Sequence, residues 1–299
     1  MHPSWVALEQ CLAQGQLPFW SSDLLLGYPL ASNPQVGALY PPNWFIVALF
    51  GAARGIVLSV WIHSLLGALG FYVLARRGGL SSTAAVLASL IVVSSPFFLF
   101  YHQAIHGLIA LAWFPWILWF GWAAAETGSW RLWVLGTVCL ALQMYAGHLQ
   151  FVAYTVVALF VVLLLGPQYA SPRGRFHALW KGGLQQLVAL LLYGPQLLLS
   201  YVLWRNSLRS ELKASDMTSN LAIETFGADD LVELLSPQYW GGPTFTDFWY
   251  PEFLGIVVLM LIVVSFLVPT SRPAPRIIRV ARVLWSLGLL YLVVMCRSI

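Results

Sequence analysis

Residues 56–79 read IVLSVWIHSLLGALGFYVLARRGG. As a helix rising 1.5 Å per residue, the apolar part of this stretch crosses the roughly 30 Å hydrocarbon core of a bilayer. Its end is punctuated as a helix end should be. Arg76 and Arg77 place cations at the C-terminus, Gly78 and Gly79 permit a left-handed cap, and Ser81 or Ser82 can N-cap a following helix. Outward from this first span, at 55–75, the same test finds apolar stretches at 83–101, 105–123, 131–146, 149–166, 183–204 and 253–269, with an incomplete one at 283–296.

Composition points the same way. Of the 299 residues 60% are hydrophobic and 9% charged, and the mean hydropathy is +0.78. That leaves too little polar surface to cover a soluble globule. Basic clusters with interleaved aromatics, the footprint of a nucleic-acid binder, are missing, so no nucleic-acid partner is expected. Cys11, Cys139 and Cys296 lie far apart and form neither a disulfide framework nor a zinc spacing, and no metal ligand set is identifiable.

Charge is sorted by loop. Arg76, Arg77, Arg131, Arg173, Arg175, Lys181, Arg272, Arg276, Arg279 and Arg282 share their loops with one acid, Glu126; the other acids, including Glu9 and Asp23, fall in the alternate loops. The positive-inside rule makes the first set cytoplasmic. The expected fold is all-α: a polytopic transmembrane helical bundle with an N-terminal amphipathic outer loop and a second helical outer loop. Residues 1–53, rich in proline and glycine, form the first extracytoplasmic loop and 54–204 the bundle. Residues 205–252 form an acidic outer loop, and 253–299 further helices. Met1-His2-Pro3-Ser4-Trp5 offers neither a signal peptide nor a span to translocate the first loop, and Leu284–Cys296 is short for a crossing. The expectation is therefore a piece of a longer protein, in a bacterial cytoplasmic membrane with its active face outside.

Polar groups inside apolar helices are costly and mark function or packing. His102 and His106, four apart, share a helical face, while His148 and Gln150 follow a span that already holds Gln143 and Tyr145. These groups either line an outward-facing polar cavity or hydrogen-bond the bundle together. Pro115 and Gly194-Pro195-Gln196 interrupt two spans, opening a lipid groove or simply accommodating packing. Arg205 and Arg209, four apart just outside a span, are placed to clamp a lipid phosphate or to snorkel. The Arg272–Arg282 run fits orientation and contact with anionic membrane lipids.

Several short motifs occur in a telling order: Gly15-Gln16-Leu17-Pro18-Phe19-Trp20, Gly27-Tyr28-Pro29, Asn33-Pro34-Gln35 and Leu39-Tyr40-Pro41-Pro42-Asn43, then Ala112-Trp113-Phe114-Pro115 and Ala146-Gly147-His148-Leu149-Gln150, then Leu234-Leu235-Ser236-Pro237 and Tyr250-Pro251-Glu252-Phe253-Leu254-Gly255. Across most of its length the chain thus resembles the YfhO-like bacterial membrane proteins of the GT-C glycosyltransferase superfamily. The resemblance implies transfer of a sugar from a polyprenyl-phosphate-linked donor to a cell-envelope acceptor outside the membrane. Such transfer needs a base for the acceptor hydroxyl, commonly a carboxylate, and arginine or a divalent metal for the departing phosphate. In that superfamily the catalytic carboxylate lies upstream of the Gly-x-x-Pro-x-Trp segment, a position that falls before Met1. Asp23 stands after the segment and Glu9 near the start of the loop; these are the candidate bases. His148 and His102 join them as catalytic candidates, with Arg205, Arg209, His106 and Gln150 binding substrate. A transporter or lipid flippase and a non-catalytic membrane subunit remain the rival classes. Acids gathered on one outer face favour the enzyme, whereas charges deep in several spans would favour transport.

Overall fold

Pro41 and Pro42 lack the N–H that a first helical turn leaves unbonded anyway, so they start a helix well. In the structure, a computed structural model describing residues 3–165 and 172–207, they open the longest element, α2 (Pro41–Arg77). Before it come α1 (Pro3–Ala13) and two single 3-10 turns at Leu30–Ser32 and Pro34–Val36. After it come α3 (Ser82–Val93), α4 (Pro96–Phe100), α5 (Ile105–Thr127), α6 (Trp130–Tyr145), α7 (Leu149–Leu165) and α8 (Pro172–Arg205). Among the described residues there is no strand; one antiparallel bridge joins Ser21 and Tyr28. The spans expected at 253–269 and 283–296, Arg209 and nearly all of the acidic loop lie outside the described residues.

Among the described residues three helices are long and apolar enough to cross a membrane: α2, α5 and the stretch Arg173–Arg205 of α8. Their burial separates their roles. The apolar window of α5 is 61% buried, against 28% for α2 and 17% for α8. So α5 is the central post, packed by α2, α6 and α7, while α2 and α8 turn large apolar side chains such as Trp61, Leu65, Leu191 and Leu198 outward. A soluble protein does not tolerate apolar faces of that extent, whereas hydrocarbon solvates them.

Helix α2 faces α5 with a stripe of small or polar residues, Ser59, His63, Gly67 and Gly70, all buried. A Cβ on Gly70 would lie 2.6 Å from Pro115 Cγ, so the absent side chain sets the close approach of the two helices. Both run the same way. Arg77 at the end of α2 pairs with Glu126 at the end of α5, Trp122 Nε1–H donates to the same carboxylate at 2.8 Å, and Arg77 lies 5.6 Å from the centre of the Trp119 ring. The turns after α2 and after α5 are therefore on one side.

Two elements differ from the sequence expectation. The first is α2, which begins at Pro41 instead of near residue 55 and contains a reversal at Gly51 (φ 73°, ψ 169°). Ile46 comes back against Gly55, and Tyr40 reaches His63, so residues 41–50 double back along the rest of α2. Residues 30–50 thus pack as a hairpin against α2 and α8. The second is the apolar stretch 83–101, which the structure divides at Ser94-Ser95: Ser95 Oγ accepts the Phe98 N–H and caps α4 as a separate helix. α3 alone, twelve residues, is too short to cross hydrocarbon.

Candidate functional site: a polar groove at Asp23

The end of α1 builds a groove. Gly15 (φ 67°) turns the chain, residues 17–23 return beside α1, and the Ser21–Tyr28 bridge, with N–H···O distances of 2.9 and 2.8 Å, closes the loop between them. The resulting groove is about 270 Å³, lined by the amides of Gln10, Gln14 and Gln16, by Ser22 and Asp23, and by Trp20. Asp23 is exposed, and Ser22 Oγ–H donates to its Oδ1 at 3.1 Å. Burial first, and then the negative charge of Asp23, push the thiol pKa of Cys11 in the groove wall upward. Beyond Asp23 the loop ends in Leu25 and Leu26, both at positive φ and both almost wholly exposed. Left-handed leucines cost about 1–2 kcal/mol each, so this apolar tip is held under strain beside the carboxylate.

Glu9, the other candidate base, is committed elsewhere. Its Oε2 accepts the Ala52 N–H at 2.9 Å, capping the helical segment that restarts after the Gly51 reversal.

The candidate histidines gather instead where α4 meets α5 and α6 meets α7. Gly147 (φ 86°) ends α6 so tightly against the N-terminal hairpin that a Cβ there would lie 2.0 Å from the Pro34 carbonyl oxygen. This corner projects His148, half-buried, between Phe151 and His106, with ring centroids 4.1 and 5.4 Å away; Tyr101 presents its edge at 5.6 Å. His102 points to Ser64 Oγ at 3.2 Å. His102 and His106, expected on one face, thus engage different partners. Burial lowers the pKa of both His102 and His148. Gln150 is exposed and donates to Tyr154 OH at 2.7 Å, and Arg205 is exposed in the last turn of α8. Among the described residues no three His, Cys, Asp or Glu side chains converge as a metal site would require.

Two polar residues flagged in the sequence bond helix to helix. Gln143 Nε2 donates to the Ala110 carbonyl and to Thr155 Oγ1, at 2.9 and 2.8 Å, and Tyr145 OH donates to the Leu192 carbonyl at 2.8 Å. A third polar cluster escaped sequence reasoning. His63 Nδ1 lies 2.8 Å from the Ser59 carbonyl, which can only accept, so Nδ1 carries the proton and Nε2 is free to accept from Tyr40 OH at 2.9 Å. Tyr40 in turn accepts the Trp113 indole N–H at 2.9 Å. His63 within an apolar span was a signal that a partner must exist; nothing local identified Tyr40.

The hairpin that carries Asp23 at its approach is fixed to α8 as well. Gln196 Nε2 donates to the Ala31 carbonyl at 2.7 Å, and Ser200 Oγ to the Ser32 carbonyl at 3.0 Å. The C-terminal part of α8, which ends in Arg205, is thereby fastened to the same N-terminal segment as the groove. The chain matches no family model, no curated protein and no solved structure.

Proposed function

We propose that the chain is an integral membrane glycosyltransferase of GT-C type, YfhO-like in organisation, in which the Asp23 groove faces outward and receives the sugar of a polyprenyl-phosphate-linked donor together with a cell-envelope acceptor. The observation that supports this is the groove itself, where an accessible carboxylate sits among amides, hydroxyls and an aromatic ring. Those are the groups that hydrogen-bond sugar hydroxyls and stack on a sugar face. The Leu25–Leu26 tip beside it suits a lipid surface.

In this reading Asp23 removes the proton from the acceptor hydroxyl as that oxygen attacks the anomeric carbon. The bond from that carbon to the phosphate oxygen breaks, and the phosphate leaves with the electron pair. Its charge requires a cation, and in this reading Arg205, five residues beyond the Ser200 that bonds to the N-terminal segment, takes that role. His148 and His102 are packed rings of the bundle and take no proton in this scheme.

The test is turnover with a polyprenyl-phosphate sugar, normalised to folded protein in the membrane. Asp23→Asn should lower it at least about a hundredfold, the usual contribution of a positioned general base. Thermal unfolding should stay unchanged, because Asp23 is exposed. Unaltered normalised turnover would remove Asp23 from the mechanism, and passage of substrate without bond cleavage would favour the transporter.

A further inference from the structure

Helices α6 and α8 run parallel, with Gly136 opposite Gln185 and Tyr145 bonded to the Leu192 carbonyl, and they leave between them a groove of about 340 Å³. That is the size of a small-ligand cavity. Its character changes along its length. Trp130 and Lys181 stand at one end, Trp133 and Gln185 one helical turn further in, and then the walls become apolar through Val138, Val188 and Leu192.

The middle level is unusual. Gln185 is only 3% exposed, yet neither its amide nitrogen nor its carbonyl oxygen has a hydrogen-bond partner, and the buried Trp133 indole N–H has none either. A Cβ on Gly136 would lie 3.1 Å from Gln185 Nε2, so the glycine provides the space in which this amide sits. Unmet polar atoms in an apolar wall are costly, and Gln185 and Trp133 both line a groove that opens onto the exposed apolar surface of Val134, Val138 and Leu184, with the unmet atoms closed off just behind it. A turn of the Gln185 side chain brings its amide N–H to an occupant bearing acceptors at that depth. At the mouth Lys181 is joined by the α6 and α8 bases Arg131, Arg173 and Arg175, while Glu126, the acid of that loop region, is engaged by Arg77. The field at this end favours an anion.

We infer that the α6–α8 groove binds one anionic glycerophospholipid, with its phosphate at Lys181, its ester carbonyls at Gln185 and Trp133, and an acyl chain along Val138, Val188 and Leu192. The spacing fits the molecule: Gln185 lies four residues from Lys181, about 6 Å along the helix, and the esters of a glycerophospholipid lie a similar step below its phosphate. The site needs the chain to lie in a bilayer but is independent of sugar transfer.

The experiment is native mass spectrometry of the full chain, purified in detergent and titrated separately with phosphatidylglycerol, phosphatidylcholine and inorganic phosphate. The wild-type chain should retain one phosphatidylglycerol in preference to phosphatidylcholine and should not retain phosphate alone. Lys181→Gln should weaken retention about fivefold, the usual factor for one basic residue at a lipid headgroup. Val138→Trp fills the groove from an exposed position that leaves the core intact and should abolish retention, whereas Arg54→Gln, exposed on α2 and outside the lining, should leave it close to wild type. Equal retention of the two lipids, or undiminished retention in both Lys181→Gln and Val138→Trp, overturns the proposal. So does a cysteine at 138 that cross-links to residues beyond 207 while no lipid is held, which would give the groove to the chain's own later segments.

Discussion

Gly147 is the residue on which the N-terminal hairpin and the bundle meet most closely. Its positive φ alone disfavours a side chain, and a Cβ would meet the Pro34 carbonyl. Gly147→Ala should therefore destabilise the protein by about 3 kcal/mol or more, strain and overlap combined, seen as a lowered unfolding midpoint in detergent. Its neighbour His148 gives a pH signature. Because burial holds the imidazole pKa below its ordinary 6.5, the unfolded chain binds the proton more readily than the folded one. Stability is then complete above about pH 6.5 and is lost as the pH falls toward the folded-state value; His102, shifted the same way, adds to the effect. Thermal midpoints should be lower at pH 5.5 than at pH 7.5, and His148→Phe, which keeps the ring between Phe151 and His106, should narrow that difference. An undiminished difference in the variant would assign the acid sensitivity to other groups.

Among the elements, α2 depends on a cap supplied from α1. Removing it in Glu9→Ala should cost about 1 kcal/mol, and turnover per folded molecule should persist, which separates Glu9 from Asp23 in the same assay. The sequence showed α6 and α7 to within a residue, with Gly147 marking the break between them, and showed where α5 starts, whereas α5 runs four residues past the expected 123 to the stop at Gly128. The doubling back of α2 was not readable: Gly51-Ala52-Ala53-Arg54 looks like the end of a loop, and what makes it a reversal within a helix is a carboxylate 43 residues away in sequence. The same distinction governs the site. Asp23 drew notice as a carboxylate just after the Gly15–Trp20 segment, and its groove is built from residues 7–23, whereas the Tyr40–His63–Trp113 chain joins positions 23 and 73 residues apart and has no local signature.

At the scale of the whole molecule, the parallel course of α2 and α5 and the Arg77–Glu126 pair put the turns after both helices on one side, which the positive-inside rule predicts to be cytoplasmic. Cysteine labelling in intact cells checks the assignment: a cysteine at exposed Ser22 should react with an impermeant maleimide, and one at exposed Thr127 should react only after permeabilisation. Cys11 and Cys139 are buried and add little background. The attachment of the hairpin to α8 also has a consequence in time. Ala31 is held by Gln196, made 165 residues later. At a synthesis rate of 5–20 residues per second, the hairpin waits roughly 8–33 s for that anchor. During this interval the Ala31 and Ser32 carbonyls lack their partners and the hairpin is open to proteases and chaperones, so the ribosome sets how long the nascent chain stays vulnerable.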